Sequence, residues 1–206
     1  VKWLSKFPEN REITVSVPGS KSITNRALLL AALSQGTCHL KGVLFSDDSR
    51  GFLDCLIKLG FNIEINEKKK EVIIEGTGGR IPDRKASINV RSAGTAARFL
   101  TVMLAMAGGD YELTASPQMC KRPMEPLLSL LEACGVTFEF HGEEGHFPFA
   151  LHSSGIHQKE VSIDTKISSQ FASALLMCAA MKKDGLTVIL EGDRSEGAYI
   201  KMTLAM

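Results

Sequence analysis

The stretch SITNRALLLAAL (Ser22–Leu33) opens on small and hydroxyl-bearing residues and then turns apolar at helical spacing. That pattern marks a helix N-terminus followed by a buried helix. It returns in SAGTAARFLTVMLAMA (Ser92–Ala107) and in SSQFASALLMCAAM (Ser168–Met181). With Arg26, Arg98 and Ser173 aligned, 72 positions separate the first two and 75 the next two. An internal repeat of that length organises the whole chain.

The neighbours of each helix repeat as well. Thr37–Leu40, Tyr111–Thr114 and Leu186–Leu190 are short strand-like runs that follow a Gly or Asp turn. A second helix is expected over Asp48–Leu59, over Arg122–Cys134 and from near Tyr199, with Asp47 or Asp48 as the cap of the first. LGFNIEIN then leads to KEVIIEG, and CGVTFEFH to FPFALH, with period-two alternation in Phe61–Ile65 and Val136–Phe140. Gly60 and Gly135 fall just past a helix end, where a left-handed residue is wanted. Each unit therefore reads β-α-β-α-β-β. The fold class is α/β (α+β), with units at about 18–80, 86–155 and 160–206. The third opens with Val161–Ile163 and stops at Met206 without its closing strand pair, as a truncation would leave it.

Composition sets bounds on function. The 206 residues carry 24 basic and 23 acidic side chains, a net charge of +1, so an anion site must be a local arrangement. Sparse aromatics on the basic segments and the balanced charge argue against nucleic acid. The five cysteines, Cys38, Cys55, Cys120, Cys134 and Cys178, match neither a zinc pattern nor a disulfide framework. Cys55 and Cys134 read as core thiols, and a reducing, cytoplasmic compartment fits. The first ten residues lack the apolar core of a signal peptide, and the longest apolar run, Ala27–Leu33, is too short for a membrane span.

Lys21 and Arg26 lie in PGSKSITNR (Pro18–Arg26), where Pro18 and Gly19 make a turn and Ser20 or Ser22 caps the helix. Lys21 then sits where free backbone N–H groups already favour an anion. Ser20 stands where a Walker A loop needs glycine, so this is not one. AGTAAR (Ala93–Arg98) and KISSQF (Lys166–Phe171) are the second and third such starts, and Gly94 allows close backbone approach. Each taken singly reads equally well as a bare capped helix. The repeat favours a site, because three equivalent helices bring their N-termini to one end of the domain. That end would hold Lys21, Ser22 and Arg26, then Gly94 and Arg98, then Ser168, Ser169 and Gln170, with Arg122 joining from the start of another helix. Such a set suits a small molecule with several negative groups. His141, His146, His152 and His157 flank a hairpin turn and read as solvated rather than metal-binding, as do Lys68–Lys70 at a hairpin tip.

PGSKSITNRALLLAAL, SDDSRGFLDCLIKLG, AGTAARFL, RPMEPLL and SSQFASALL resemble, in order, the signatures of the 5-enolpyruvylshikimate-3-phosphate synthases, over about Val15–Tyr199. The resemblance implies an enolpyruvyl transferase-like fold of two domains, each a pseudo-threefold set of the units above. It implies transfer of the enolpyruvyl group of phosphoenolpyruvate to the 5-hydroxyl of shikimate 3-phosphate, through a tetrahedral addition intermediate. It implies no metal and no organic cofactor. Carried over by position, Lys21 would meet both substrates and act in catalysis. Ser22 and Arg26 would hold the shikimate carboxylate, Ser168 and Ser169 its 3-phosphate, and Tyr199 would pack on its ring. Gly94, Arg122 and Gln170 would line the phosphoenolpyruvate site, with Gln170 also facing the shikimate and Arg98 near the cleft. Sensitivity to glyphosate follows from the same likeness, with Gly94 leaving room beside Arg122.

The chain departs from the family pattern at Ser92, where many members carry Asn, at Phe99, where several carry Pro, and at Glu196, which replaces a substrate-binding serine while Ser195 is one place off. The resemblance assigns the proton-transferring carboxylates to a second, C-terminal domain absent from this chain, and Val1–Val17 to a strand linked to that domain. The expected partners are therefore the two small substrates and the missing domain, with no membrane. The alternative is a non-catalytic anion-binding module.

Overall fold

The computed structural model describes residues 19–166, 168–192 and 197–206. The strand expected within Val1–Val17, the Pro18 turn, and Ser195 and Glu196 lie outside the described residues.

Helix α1 (Lys21–Leu33) starts at Ser20, whose hydroxyl accepts from Ile23 N at 3.4 Å. It is followed by strand β1 (Gln35–Lys41), helix α2 (Asp47–Lys58) and strands β2 (Ile63–Asn66) and β3 (Glu71–Thr77), which form an antiparallel sheet in the order β1-β3-β2. Next come β4 (Lys85–Asn89), α3 (Gly94–Ala107), β5 (Gly109–Thr114), α4 (Pro117–Cys120), α5 (Glu125–Ala133), β6 (Thr137–Phe140) and β7 (Phe149–Ser153). Their sheet runs β4-β5-β7-β6, with β4 and β5 parallel and the other pairs antiparallel. The order β5-β7-β6 repeats β1-β3-β2. The last elements are β8 (Glu160–Asp164), α6 (Ser169–Cys178), β9 (Thr187–Glu191) and α7 (Ala198–Leu204). Here β8 and β9 pair in parallel, as β4 and β5 do.

The two central helix ends close in the same way. Gly60 (φ 86°) and Gly135 (φ 89°) are left-handed. Gly60 N donates to Ile57 O and Phe61 N to Leu56 O, while Gly135 N donates to Glu132 O and Val136 N to Leu131 O. These paired bonds satisfy the last helical carbonyls, and a side chain at either glycine would strain the backbone.

Two helix starts differ from the sequence expectation. Ser46, not Asp47 or Asp48, caps α2, in a reciprocal capping box with Ser49. The two aspartates occupy the first turn, where they favour the helix dipole. The helix expected over Arg122–Cys134 is broken into α4 and α5, and Arg122 lies in the turn between them. Pro123 is the reason: its ring disfavours helical backbone at the preceding residue. Pro126 is tolerated because it falls in the first turn of α5.

The core lies between the sheets and the three repeat helices. Every residue of α3 from Gly94 to Met106 is buried, so this helix is the central rod rather than an amphipathic one. α3 packs along α6, and α1 touches both. Cys55 and Cys134 are buried as expected, and burial pushes the Cys55 thiol up to about 12. Among the described residues no helix is long and apolar enough to cross a membrane.

Candidate functional site

Because α1, α3 and α6 pack together, their N-termini border one cleft of about 320 Å³. α1 contributes Lys21, Ser22 and Arg26 to its lining, and α3 contributes Thr95. Ser168, Ser169 and Gln170 come from the start of α6, Tyr199 from α7, and Arg122 from the α4–α5 turn. Larger hollows lie elsewhere. One of about 390 Å³ sits over β4 and β5. Two of its charged groups meet each other, Asp110 and His152, at 2.7 Å, whereas the helix-end cleft gathers three cations, Lys21, Arg26 and Arg122. His141 likewise meets Glu112 at 3.0 Å, in keeping with a solvated reading of these histidines.

Arg26 is the anchor of the site. It is 2% exposed, and among the described residues no carboxylate is one of its hydrogen-bond partners. Nε donates to Thr203 Oγ1 at 2.7 Å, Nη1 to Ser22 O at 3.0 Å, and Nη2 to Ser173 Oγ at 2.9 Å and Tyr199 O at 3.4 Å. Its guanidinium carbon lies 5.4 Å from the Phe99 ring centroid and 5.8 Å from that of Tyr199. Burial pulls its pKa below the ordinary arginine value. A buried cation held by neutral acceptors and ring faces is stabilised further by any anion that reaches it.

Lys21 is half exposed, and its Nζ meets Asp48 Oδ2 at 2.9 Å. The sequence reading of Asp48 as a cap missed this. An ammonium has three donors, so Asp48 occupies one and leaves two. A contact this exposed stabilises the fold by no more than about 1 kcal/mol. Its main effect is to orient Lys21.

Arg122 and Arg98 form the other flank. Arg122 is exposed and comes within 3.9 Å of Met119 Sδ. Arg98 is buried behind it and does not line the cleft. It donates to Gly94 O at 3.0 Å and Pro123 O at 3.3 Å, and it lies 5.7 Å from the Phe171 ring centroid. Burial first, and the nearby Arg122 charge second, bring its pKa down to about 10. Gly94 does not leave open space beside Arg122. A methyl group there would overlap Arg122 Nη1 and lie 2.8 Å from Arg98 Nη1. α3 has no side-chain cap, so Ala93 leaves its first-turn N–H groups to this region. Ser92 instead bonds Ser116, at 2.7 Å.

Ser168 is the cap of α6 and accepts from Gln170 N at 3.2 Å. Gln170 Oε1 is buried and has no partner among the described residues. Buried acceptors of this kind are normally satisfied, so a ligand offering a hydroxyl fits here. Apart from Gly94 and Arg98, every candidate named from the sequence lines the cleft. Thr95, Asp48, Ser173 and Thr203 were not singled out as site residues. Thr95, Asp48 and Ser173 stand inside quoted motifs, with Asp48 read only as a cap, while Thr203 gives no local signal.

The family model described as EPSP synthase (3-phosphoshikimate 1-carboxyvinyltransferase) matches residues 8–206. A 3-phosphoshikimate 1-carboxyvinyltransferase of Nostoc punctiforme is 41% identical over 192 residues, covering 93% of this chain and 45% of the relative. One from a Janthinobacterium species is 42% identical over 192 residues, covering 92% and 44%. The solved EPSP synthase of Acinetobacter baumannii superposes with a TM-score of 0.76 at 27% identity, over 91% of this chain and 42% of that structure. The chain thus spans a little under half the length of the relatives it matches.

Proposed function

The chain belongs to the EPSP synthase family, and from that premise we propose that its cleft forms the shikimate 3-phosphate wall of an enolpyruvyl transferase. In the full reaction the 5-hydroxyl of shikimate 3-phosphate gives up its proton as its oxygen bonds to C2 of phosphoenolpyruvate, and a proton is added at C3. The resulting tetrahedral adduct loses phosphate and a C3 proton, leaving the enolpyruvyl ether. Lys21 contacts both substrates. Ser22 and Arg26 take the carboxylate, Ser168 and Ser169 the 3-phosphate, and Tyr199 the ring. Arg122, Gly94 and Gln170 border phosphoenolpyruvate.

The observation that carries this reading is the joining, in one cleft, of Lys21, Arg26 and Arg122 with three serine hydroxyls and an amide oxygen that has no partner among the described residues. Cations suit the carboxylate and phosphates, and the Gln170 oxygen suits a ring hydroxyl. Titration of the 206-residue chain with shikimate 3-phosphate, followed by NMR, tests it. Binding of order millimolar, near 4 kcal/mol, is expected because the exposed contacts are screened and ordering costs are not offset by a second wall. No binding at about ten times that concentration would remove the reading.

Gly94→Ala tests the phosphoenolpyruvate side. The new methyl would overlap Arg122 and crowd Arg98, so the exposed Arg122 must swing aside and the buried Arg98, held by two carbonyls, must shift as well. One displaced charge-assisted contact is worth roughly 1.5–3 kcal/mol, so phosphoenolpyruvate should bind at least about tenfold more weakly. Glyphosate should weaken too, because the methyl acts through an arginine both molecules would meet. Unchanged affinity for phosphoenolpyruvate in a calorimetric titration, with shikimate 3-phosphate present, would count against the arrangement.

A further inference from the structure

A guanidinium carries five N–H donors, one on Nε and two on each Nη. In Arg26 four are committed within the protein, to Thr203 Oγ1, Ser22 O, Ser173 Oγ and Tyr199 O. The fifth, on Nη1, has no partner among the described residues and is the one left for a ligand. The Phe99 and Tyr199 rings lie near the guanidinium carbon, but a ring face has no preference for rotation within the guanidinium plane. Hydrogen bonds supply that preference. Thr203 and Ser173 provide two of the four, both are buried, and neither lines the cleft. Their hydroxyl oxygens lie 3.0 Å apart, and Thr203 Oγ1 also reaches Tyr199 O at 2.8 Å, so the acceptors are themselves braced across α6 and α7.

We propose that Thr203 and Ser173 are positioning residues that orient Arg26 so that its single remaining Nη1 donor meets the ligand carboxylate, through one hydrogen bond rather than two. The proposal rests on the shikimate 3-phosphate reading above. It makes carboxylate recognition by α1 depend on residues of α6 and α7 that never touch the ligand. It also separates the two ends of the ligand: the carboxylate answers to this clamp, and the phosphate answers to the start of α6.

Three variants of the chain test it. Thr203→Val keeps the shape and removes the acceptor, Thr203→Ser keeps the hydroxyl, and Ser173→Ala removes the second acceptor. Each is titrated with shikimate 3-phosphate and with inorganic phosphate, which lacks the carboxylate, and its thermal midpoint is recorded. Thr203→Val should weaken shikimate 3-phosphate about tenfold, with Ser173→Ala following in the same direction. Thr203→Ser should stay within about twofold, and inorganic phosphate should bind all forms alike. Wild-type affinity in Thr203→Val overturns the proposal. So does an equal loss for both ligands that tracks a lowered midpoint, the mark of a merely structural role. Should wild type bind no shikimate 3-phosphate, the functional reading fails, and the clamp is judged on the exchange of the Arg26 Nε proton. Protection lost in Thr203→Val and kept in Thr203→Ser upholds the clamp, and protection equal in all forms overturns it.

Discussion

Residues 1–206 by themselves should bind shikimate 3-phosphate and release no phosphate from phosphoenolpyruvate. Among the described residues no carboxylate lines the cleft, and Asp48, which reaches Lys21 at its edge, is paired with that lysine. On the proposed reading, the proton-transferring carboxylates belong to the part of the relatives' length that this chain does not span. Positioned acid–base groups contribute roughly 10²–10⁴-fold each, so a chain without them falls at least about 10⁴-fold below a full-length relative. Holding both substrates in attacking geometry adds a further large factor, which an open cleft cannot supply. A phosphate-release assay on the chain alone, and then mixed with the C-terminal half of the Nostoc punctiforme relative, decides the matter. Turnover recovered only on mixing is the expected result. Release by the chain alone at a rate comparable to the relative would refute it.

Arg26→Met should cost more binding than any other single change in the cleft. The substitution keeps an apolar stem between Phe99 and Tyr199 and removes both the buried charge and the ligand-facing donor. A charge-assisted hydrogen bond of about 1.5–3 kcal/mol corresponds to about 10- to 150-fold, and loss of the charge itself puts the result at the upper end. Shikimate 3-phosphate affinity should therefore fall about 100-fold, beyond detection in the isolated chain. The fold should tolerate the change. Charge and donors leave together, the desolvation cost of the cation disappears, and Ser173 and Thr203 retain each other at 3.0 Å. The unfolding free energy should move by less than about 2 kcal/mol. Retained binding, measured by NMR titration, would show that Arg26 is structural. A collapse of the thermal midpoint would show that the clamp serves stability first.

The repeat, the helix and strand order and the three cleft-bordering helix starts are all legible in the sequence by itself. The reason is that capping, apolar periodicity and left-handed glycines act within a turn or two of chain. Gly60 and Gly135 end their helices through the same pair of bonds because the same local problem recurs. Equal local patterns give equal units, and equal units bring their first helices to one end. The break at Arg122 is legible as well, because Pro123 restricts the residue before it. What only the tertiary structure decided is where each cation's hydrogen bonds go. Lys21 meets Asp48 on another helix, and Arg122 stands over Gly94. Arg26 is held by Ser173 and Thr203, 147 and 177 positions away. No spacing rule reaches that far, because such bonds depend on how α1, α6 and α7 stack. That stacking is set by the apolar core between them, and the polar side chains then take whatever partners it places within about 3 Å.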